Sequence, residues 1–452
     1  MKRPEGLAAF AVIWTGQLLS LLGSGLTSFA TVYWVYQFTG DATSVSLMAL
    51  CSFAPTVVVG PIAGALVDRW DRKLVMMISD IAAALATLAI GVLYVTGDLA
   101  AWHLYAAGAF SGAFESFQWP AYTAAMSSMV PKAHYSRANG MISLAASATS
   151  IAAPILAGIL LPLVGIAGIF LIDFGTFVIG LLLLTIVVVP NPPKSPESLK
   201  QAGSLWREVA LGFRFVLSRR GLLGLQVVFL FMNLFNNLGQ PIRQTLVLAR
   251  TAYDPSAMAA VGSAMAFGSL AGSLLMTAWK GFRRKVHGVL IGMALHGLLG
   301  TVIFGLGRAL PVWLAAGFAM QVFLVVLQSS ASAIWQSKVP LDMQGRVMAT
   351  RRLIAHAAIP LGMALSGPLA DYVLEPAMRS DGALASLFGG LVGTGPGAGM
   401  ALILVLAGLL SSSVGLAGFL SRSIREVDTA LPDHDQVVGR VAGQTATVAT
   451  GD

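Results

Sequence analysis

Three acidic residues interrupt long apolar stretches of this 452-residue chain, and each could carry a proton or recognise a cation. Asp80 and Asp173 each lie about seven residues inside their apolar stretch, while Glu115 lies near the middle of its own. An ionisable side chain in such a stretch is costly in lipid and indicates a function by default. Glu115 is therefore the first candidate for proton coupling, with a structural hydrogen bond as the alternative.

Basic side chains also occur within the apolar stretches. His356 and His296 could titrate, and His356 is kept as a further proton-coupling candidate, although a lone histidine is more often a packing residue. Arg243 could pair with an anionic group of a substrate or with an acid of the protein. The sequence leaves that choice open.

Uncharged polar residues form two stripes at helical spacing, and both are candidates to line a substrate cavity. Residues three, four or seven apart share one face of a helix, and amides that face lipid would be unfavourable. Interhelical hydrogen bonding is the alternative for any single Ser or Thr. Gly239 and Pro241 predict a bend, able to move as a gate, in the helix of the second stripe. The first stripe is Gln17, Ser20, Ser24, Thr27, Ser28 and Thr31, and the second is Gln226, Asn233, Asn237, Gln240 and Gln244.

Membrane-spanning helices are needed to position these residues. The chain is 56% hydrophobic and only 11% charged, which is too apolar for a soluble domain. A spanning helix needs about 20 apolar residues, and on that rule the chain divides into twelve. They cover roughly 8–37, 43–66, 73–95, 101–129, 134–162 and 166–189, then 221–248, 255–279, 286–307, 311–337, 345–373 and 397–420.

The predicted fold is an all-α integral membrane protein with twelve transmembrane helices in two pseudo-symmetric six-helix bundles. The N-terminal bundle covers residues 1–190 and the C-terminal bundle covers 221–421. Between them, 191–220 is predicted to be a cytoplasmic linker with an amphipathic helix, and 422–452 a disordered cytoplasmic tail. Nearly all of the 28 Lys and Arg residues lie on one side if both termini are cytoplasmic, which favours that orientation in the inner membrane.

The two bundles are also predicted to be repeats of one another. Val130-Pro131 precedes Arg137 as Val339-Pro340 precedes Arg346, at an offset of 209 positions. At an offset of 208 positions, Gly60 and Gly64 match Gly268 and Gly272. Because the matches keep their order along the chain, duplication of a six-helix unit is the natural account. The offset of 209 also pairs Gln17 with Gln226, Ser24 with Asn233, Ser28 with Asn237 and Thr31 with Gln240.

The segment 60–73, GPIAGALVDRWDRK, carries two glycines four apart and then a charged turn. On a helix the glycines allow another helix to approach closely, and the charges must lie at a membrane surface. This segment resembles the loop signature of the major facilitator superfamily between helices two and three. The runs PAYTAAMSSMVPKAHYSRANG, IDFGTF and WQSKVPLDMQGRVMA resemble its macrolide-efflux and siderophore-exporter branch. The gating motif is then Gly60, Gly64, Asp68, Arg69, Arg72, Lys73 and Arg346.

Within this motif, Asp68 is expected to lie against the start of helix eleven, near Gly345 and Arg346. A carboxylate is favoured there by the positive helix end and by the cation. Such a contact would hold the cytoplasmic side shut. Arg72 and Lys73 are expected to do no more than anchor the loop.

The resemblance also implies details of packing and coupling. Ala153-Pro154 and Ala157-Gly158 resemble a weakened antiporter signature in helix five, echoed by Pro360 in helix eleven. Small residues beside a proline permit tight, kinked packing. Asp80 and Asp173 match family positions that could be architectural. The arginine that drug antiporters often carry in helix four is absent. Proton coupling is therefore an inference, because that signature residue does not indicate it directly.

The predicted function is secondary active export of a small amphipathic, drug-like compound by alternating access, in exchange for protons. A siderophore or lysophospholipid transporter is the alternative. The proton gradient would supply the energy without a cofactor, and the partners would be the lipid bilayer and a small-molecule substrate. A single copy is expected to suffice. Scattered cations disfavour nucleic-acid binding, and neither an enzyme motif, a metal-ligand cluster, an ATP-binding loop nor a sensor domain is recognised.

Overall fold

The computed structural model describes residues 6–67, 70–190, 205–279, 281–340 and 343–430, which form helices and short connections without a strand. A helical run over Tyr135–Ile186 is broken at Gly165, where φ is +67°, so its parts are numbered separately. The helices of the first half are α1 Gly6–Thr39, α2 Ala42–Val67, α3 Arg72–Thr96, α4 Ala101–Met129, α5 135–164 and α6 166–186.

The second half begins with the predicted amphipathic helix and continues with long helices close to the predicted bounds. The short helix Ala385–Val392 was not predicted. The helices are α7 Leu205–Leu217, α8 Arg220–Arg250, α9 Pro255–Ala278, α10 Lys285–Leu306, α11 Leu310–Lys338, α12 344–377, α13 Ala385–Val392 and α14 Ala398–Leu420.

The predicted all-α membrane fold is confirmed. Among the described residues, ten helices are long and apolar enough to cross a membrane. One of these ten, Lys132–Ile186, contains both α5 and α6, while α4 is not among them because its polar residues lower its hydropathy. The count of twelve therefore stays a prediction.

Two of the helices contain π-helical segments, and the bend predicted in α8 stays a prediction. α8 continues from Arg220 to Arg250 across Gly239 and Pro241. α10 contains a π-helical segment at His296–Val302. α12 is interrupted at Ala357, because Pro360 has no N–H to donate to the carbonyl of His356, and it has a π-helical segment at Leu369–Leu374.

The halves touch mainly through two helix pairs, α2 with α12 and α5 with α9, and α8 makes smaller contacts with α2 and α1. The predicted packing motif lies in the second pair. A Cβ built on Gly158 would lie 2.5 Å from the Cβ of Ala259, and one built on Gly262 would lie 3.1 Å from the Cβ of Pro154. Pro154 and Gly158 therefore allow close approach between the halves, whereas Pro360 shapes α12.

Buried apolar residues show where the halves are joined. One continuous cluster crosses both halves at the end where α1 finishes and α2 begins. At the opposite end, where α1 begins, each half has its own separate cluster. We call these the closed end and the open end. The described part of the molecule is thus joined by apolar packing at one end and divided at the other.

One predicted packing role is wrong in this conformation. A Cβ on Gly60 or on Gly64 would meet no atom of the described residues within 4 Å, so among these residues the two glycines do not mediate a close helix contact. The repeat-equivalent Gly268 and Gly272 do, because their Cβ atoms would lie 2.3 Å from Phe318 O and 3.0 Å from Val322 O of α11. The physical reason is that no described helix packs against the glycine face of α2 near the open end.

The prediction of a tail disordered from residue 422 is also wrong for its first part. Residues Arg422–Arg425 and Val427–Ala430 form short helices, and Ile424 and Val427 are buried against the second half. Asp428 Oδ2 accepts a hydrogen bond of 2.9 Å from the amide of Val286 at the start of α10. Residues 431–452, like most of the predicted linker (191–204), lie outside the described residues.

Candidate functional site

A cavity of about 330 Å³ lies among α1, α2, α3, α4 and α6 of the first half. The three acids singled out from the sequence, Asp80, Glu115 and Asp173, all line it. The polar stripe of α1 lines it as well. We call it the acidic cavity, and its remaining polar lining is Gln17, Ser20, Ser24, Thr27, Ser28, Thr31, Ser52, Ser79, Thr87, Ser111 and Gln118.

Asp80 is held by two amides. Gln118 Nε2 donates to Asp80 Oδ1 at 2.8 Å and to Gln17 Oε1 at 3.1 Å, and Gln17 Nε2 donates to Asp80 Oδ2 at 3.4 Å. Both carboxyl oxygens therefore accept hydrogen bonds, which satisfies a buried acid without a cation. The sequence analysis did not single out Gln118, although its spacing of three from Glu115 places both on one face of α4.

Asp173 is packed directly under α1. Thr87 Oγ1 donates to its Oδ2 at 3.1 Å, and a Cβ built on Gly23 would lie 2.6 Å from its Oδ1. Glycine at position 23 thus leaves the space that the carboxyl group needs. Thr87, the hydrogen-bond partner of Asp173, follows Asp80 by seven residues on α3. Asp80 and Asp173 therefore lie about 10 Å apart along the axis of that helix.

Glu115 differs from the other two acids. Its side chain is exposed to the cavity, and it makes no hydrogen bond or ion pair with any other described residue. The neighbouring helices partly desolvate the carboxyl group, but water can reach it from the cavity. Of the three acids, Glu115 is the one that is free to meet a proton or a ligand.

The second half contains a cavity of about 270 Å³ among α8, α9, α10 and α11, which we call the basic cavity. Arg243 lines it and is only 6% exposed. Its Nη1 donates to Asn236 Oδ1 at 3.4 Å, and among the described residues no acid pairs with it. His296 also lines the cavity, and its Nδ1 lies 2.9 Å from Met320 O. The exposed side chains of Gln240 and Gln244 complete the polar lining.

The two cavities occupy equivalent places in the repeat. The offset of 209 positions relates lining residues of one to lining residues of the other. Glu115 corresponds to Leu324, and Thr87 corresponds to His296. The further pairs are Thr27 with Asn236, Thr31 with Gln240, Ser111 with Met320 and Gly112 with Gln321.

Some candidates of the second stripe line neither of the cavities described above. Asn233 Nδ2 donates to Phe229 O at 3.0 Å, and Asn237 Nδ2 donates to Asn233 O at 2.8 Å. These amides are satisfied by carbonyl oxygens of their own helix one turn earlier. His356 likewise lies outside both cavities, at the interruption of α12 with its side chain exposed.

A contact between the halves at the closed end was not predicted. Asp371 of α12 accepts hydrogen bonds from Ala42 N at 3.1 Å, from Thr43 N at 2.7 Å and from Thr43 Oγ1 at 2.6 Å. Beside it, a Cβ on Gly367 would lie 2.3 Å from the Cα of Thr43. The carboxylate therefore caps the positive N-terminus of α2 across the interface between the halves. We call this contact the closed-end cap.

The basic residues of the loop motif contact backbone carbonyls. Arg72 Nη1 donates to Ala124 O at 2.9 Å, and Lys73 Nζ donates to Val187 O at 2.7 Å and to Thr185 O at 3.1 Å. Both cations lie at the C-terminal ends of neighbouring helices, α4 and α6, where positive charge is favourable. Asp68, Arg69 and the side chain of Arg346 lie outside what the structure describes, so the predicted contact of Asp68 stays a prediction.

A helical membrane protein whose halves join at one end and enclose polar cavities is, by class, a membrane transporter. The family model described as Major Facilitator Superfamily matches residues 13–363, and the chain belongs to that superfamily. This confirms the resemblance drawn from the loop signature.

Relatives in the efflux branch cover most of the chain. Macrolide efflux protein A of Streptococcus pyogenes is 26% identical over 371 residues, which is 80% of this chain and 90% of that protein. The enterobactin exporter EntS of Salmonella typhimurium is 26% identical over 415 residues, covering 89% of this chain and 93% of that protein. A solved bacterial homologue of the human lysosomal transporter Spinster is similar in fold, with a TM-score of 0.67, 15% identity and coverage of 93% of this chain and 98% of that one.

Proposed function

We propose that this transporter exports a small amphipathic compound in exchange for protons, with both termini on the cytoplasmic side. The observation that carries the proposal is the position of Asp80, Glu115 and Asp173 around one cavity of a molecule divided at its open end. A carboxyl group in such a cavity can bind a proton on one side of the membrane and release it on the other after access alternates. The similarity to macrolide efflux and enterobactin export proteins supports outward transport.

Glu115 is the proposed proton carrier. Asp80 and Asp173 have amide or hydroxyl partners that hold their carboxyl groups in place, whereas Glu115 has none among the described residues. A carrier must gain and lose its proton in each cycle, which an exposed, unpartnered carboxyl can do without breaking a network. Asp80 and Asp173 are assigned the role of shaping the cavity around it.

Alternation is proposed to exchange two carboxylate contacts between α2 and α12. At the closed end, Asp371 of α12 caps the start of α2. The two helices run in opposite directions, so Asp68, at the far end of α2, would cap the start of α12 when the open end closes. Gly60 and Gly64, which contact no described helix in the present conformation, would then lie against α12.

The open end is proposed to face the cytoplasm. It carries the basic groups Arg72 and Lys73 in the first turn of α3 and Arg283, Arg284 and Lys285 at the start of α10. Clusters of Lys and Arg beside spanning helices favour the cytoplasmic side. The conformation described would then be the one that loads substrate from the cell interior.

Everted membrane vesicles test the proposal. Uptake of erythromycin, ethidium and naphthalene-2-carboxylate is measured with an acid-inside proton gradient, with and without a protonophore. We expect protonophore-sensitive uptake of at least one probe by the wild type and loss of that uptake in Glu115→Gln. Uptake that ignores the protonophore, or that Glu115→Gln leaves unchanged, would overturn the proton exchange. Absence of uptake of all three probes would count against drug-like export.

Siderophore export is a second candidate, because the similarity to the enterobactin exporter EntS extends over 93% of that protein. Enterobactin added to the same vesicles should compete with the transported probe if this candidate holds. Competition by a macrolide but not by enterobactin would favour the first candidate.

A further inference from the structure

The basic cavity contains a positive charge that nothing among the described residues neutralises. Arg243 is 6% exposed, and its one hydrogen bond is the 3.4 Å contact with the amide oxygen of Asn236. The one ion pair between described residues joins Arg422 to Glu426. This pair lies at the open end, far from the basic cavity in sequence. A buried guanidinium without a counterion is unfavourable, and it has five N–H donors to satisfy.

A second buried polar atom in the same cavity also lacks a partner. His296 is 2% exposed, and its Nδ1 faces the carbonyl oxygen of Met320 at 2.9 Å. Since a carbonyl oxygen can only accept, the proton of the neutral ring lies on Nδ1, which leaves Nε2 as an acceptor. Nε2 has no hydrogen-bond partner within the part of the chain that the structure describes. Arg243 and His296 therefore offer donors and an acceptor to one ligand.

The rest of the lining suits an apolar body attached to a polar group. Met258, Met265, Met320 and Leu324 line the cavity from two helices, α9 and α11, and methionine side chains adapt to ligands of different shapes. Gln240 and Gln244 are exposed beside Arg243 on α8, so a ligand that reaches the guanidinium also meets their amides. A mostly apolar pocket with a few convergent polar groups is typical of a small-molecule site.

We propose that the basic cavity binds a carboxylate or phosphate group of the transported compound through Arg243, so that the substrate is an amphipathic anion. This inference rests on the proposed function, because it names the chemical class of its substrate. Guanidinium is the side chain that best matches the planar, bidentate geometry of these oxyanions. The site belongs to the second half alone, since the residue equivalent to Arg243 in the repeat is Trp34, which stacks on Phe38.

Calorimetric binding to the purified full-length protein tests the inference with four matched probes. Naphthalene-2-carboxylate and 2-naphthyl phosphate are anionic, naphthalene-2-methanol is neutral and naphthalen-2-ylmethylamine is cationic. The wild type should bind one or both anions at least about tenfold more tightly than the neutral and cationic probes, the effect of one charge-assisted hydrogen-bond pair. The preference between the two anions identifies the oxyanion.

Variants assign the binding to Arg243. Arg243→Gln should remove the preference for anions, Arg243→Lys should keep part of it, and the matched control Arg308→Gln, on the exposed closed-end surface, should keep all of it. Equal binding of all four probes by the wild type would overturn the inference, and so would an anion preference that survives in Arg243→Gln. A thermal melt of each variant excludes misfolding as the cause of a loss.

Vesicle transport separates this inference from the proposed function. If the wild type shows protonophore-sensitive uptake of ethidium or erythromycin that Arg243→Gln leaves unchanged, and no uptake of naphthalene-2-carboxylate, the anion site is wrong and proton-coupled export stands. If anions bind through Arg243 but no proton gradient drives any uptake, the site stands and proton coupling is wrong.

Discussion

The acidic and basic cavities occupy the same place in two repeats, yet they carry opposite charges. In the first half, Asp80, Glu115 and Asp173 line the cavity without a basic residue among its lining. In the second half, Arg243 and His296 line it without an acid among its lining. Duplication explains why two cavities exist, and the divergence of their side chains indicates that they do different work.

The glycine pairs of the two halves teach a similar lesson. Gly268 and Gly272 hold α9 against α11, whereas within the described structure no helix lies against Gly60 and Gly64 of α2. In the first half, the corresponding approach of α2 and α4 depends instead on a glycine of α4, since a Cβ on Gly108 would lie 2.4 Å from Ser52 Oγ of α2. The same pair of glycines therefore makes a helix contact in the second half of the described structure. In the first half, our account is that the pair makes its contact in another conformation.

The largest effect is expected from removing the unpartnered acid. Glu115→Gln keeps the size of the side chain but cannot carry a proton, so gradient-driven uptake should fall about tenfold or more. The matched control is Glu426→Gln, which makes the same change at an acid that lies outside both cavities and should leave the response to the gradient intact. Equal losses in both variants would mean that the effect does not belong to the acidic cavity.

The glycine comparison is sharpened by adding a side chain at equivalent positions. Gly64→Leu should abolish transport with little change in melting temperature, because its side chain enters open space now but blocks closure. Gly272→Leu should lower stability by about 1–3 kcal/mol, since it overpacks the contact with α11. Melting curves in detergent and vesicle uptake check both variants. Normal transport by Gly64→Leu would refute the proposed role of this face.

The closed-end cap should set the balance between conformations. Asp371→Asn weakens three hydrogen bonds to the start of α2, and a loss of about 1.4 kcal/mol would shift the population about tenfold toward opening at that end. Spin labels report the shift if they are placed at Phe38 and Leu387, one in each half, in a Cys51→Ser background. The control Asp381→Asn changes an exposed acid near the same end. Identical distance distributions in all three proteins would show that the cap has no such role.

The smallest effect is expected for Asn233, which bonds to its own helix. Asn233→Ala should change stability by no more than about 0.5 kcal/mol and leave uptake of every probe unchanged. Ser24→Ala, at the equivalent position in the acidic cavity, provides the comparison. A large loss of uptake in Asn233→Ala would place this residue on the substrate path.

Much of the fold could be predicted because lipid imposes simple rules on sequence. Spanning helices need long apolar runs, and the predicted run at 73–95 differs from α3, Arg72–Thr96, by one residue at each end. The polar stripe of α1 was recognised because six small or amide side chains share one face. The stripe of α8 was predicted less well, since an amide can turn back to its own backbone, which spacing alone does not reveal.

The relations between distant helices could not be predicted from one sequence. Asp80, Glu115 and Asp173 lie on three helices, and only packing brings them to one cavity. Asp371 was missed because its partners, Ala42 and Thr43, are more than three hundred residues away and are backbone amides and a hydroxyl. The open surface of Gly60 was missed because it depends on the conformation.

The most direct test of the division between the cavities is proton movement measured together with binding in Glu115→Gln. The protein is reconstituted in liposomes that contain a pH-sensitive dye, and naphthalene-2-carboxylate or ethidium is added outside. We predict that the wild type moves protons in exchange for its substrate, whereas Glu115→Gln moves none yet binds naphthalene-2-carboxylate with unchanged affinity. Proton movement in Glu115→Gln at the rate of the wild type, or loss of anion binding in this variant, would contradict the account.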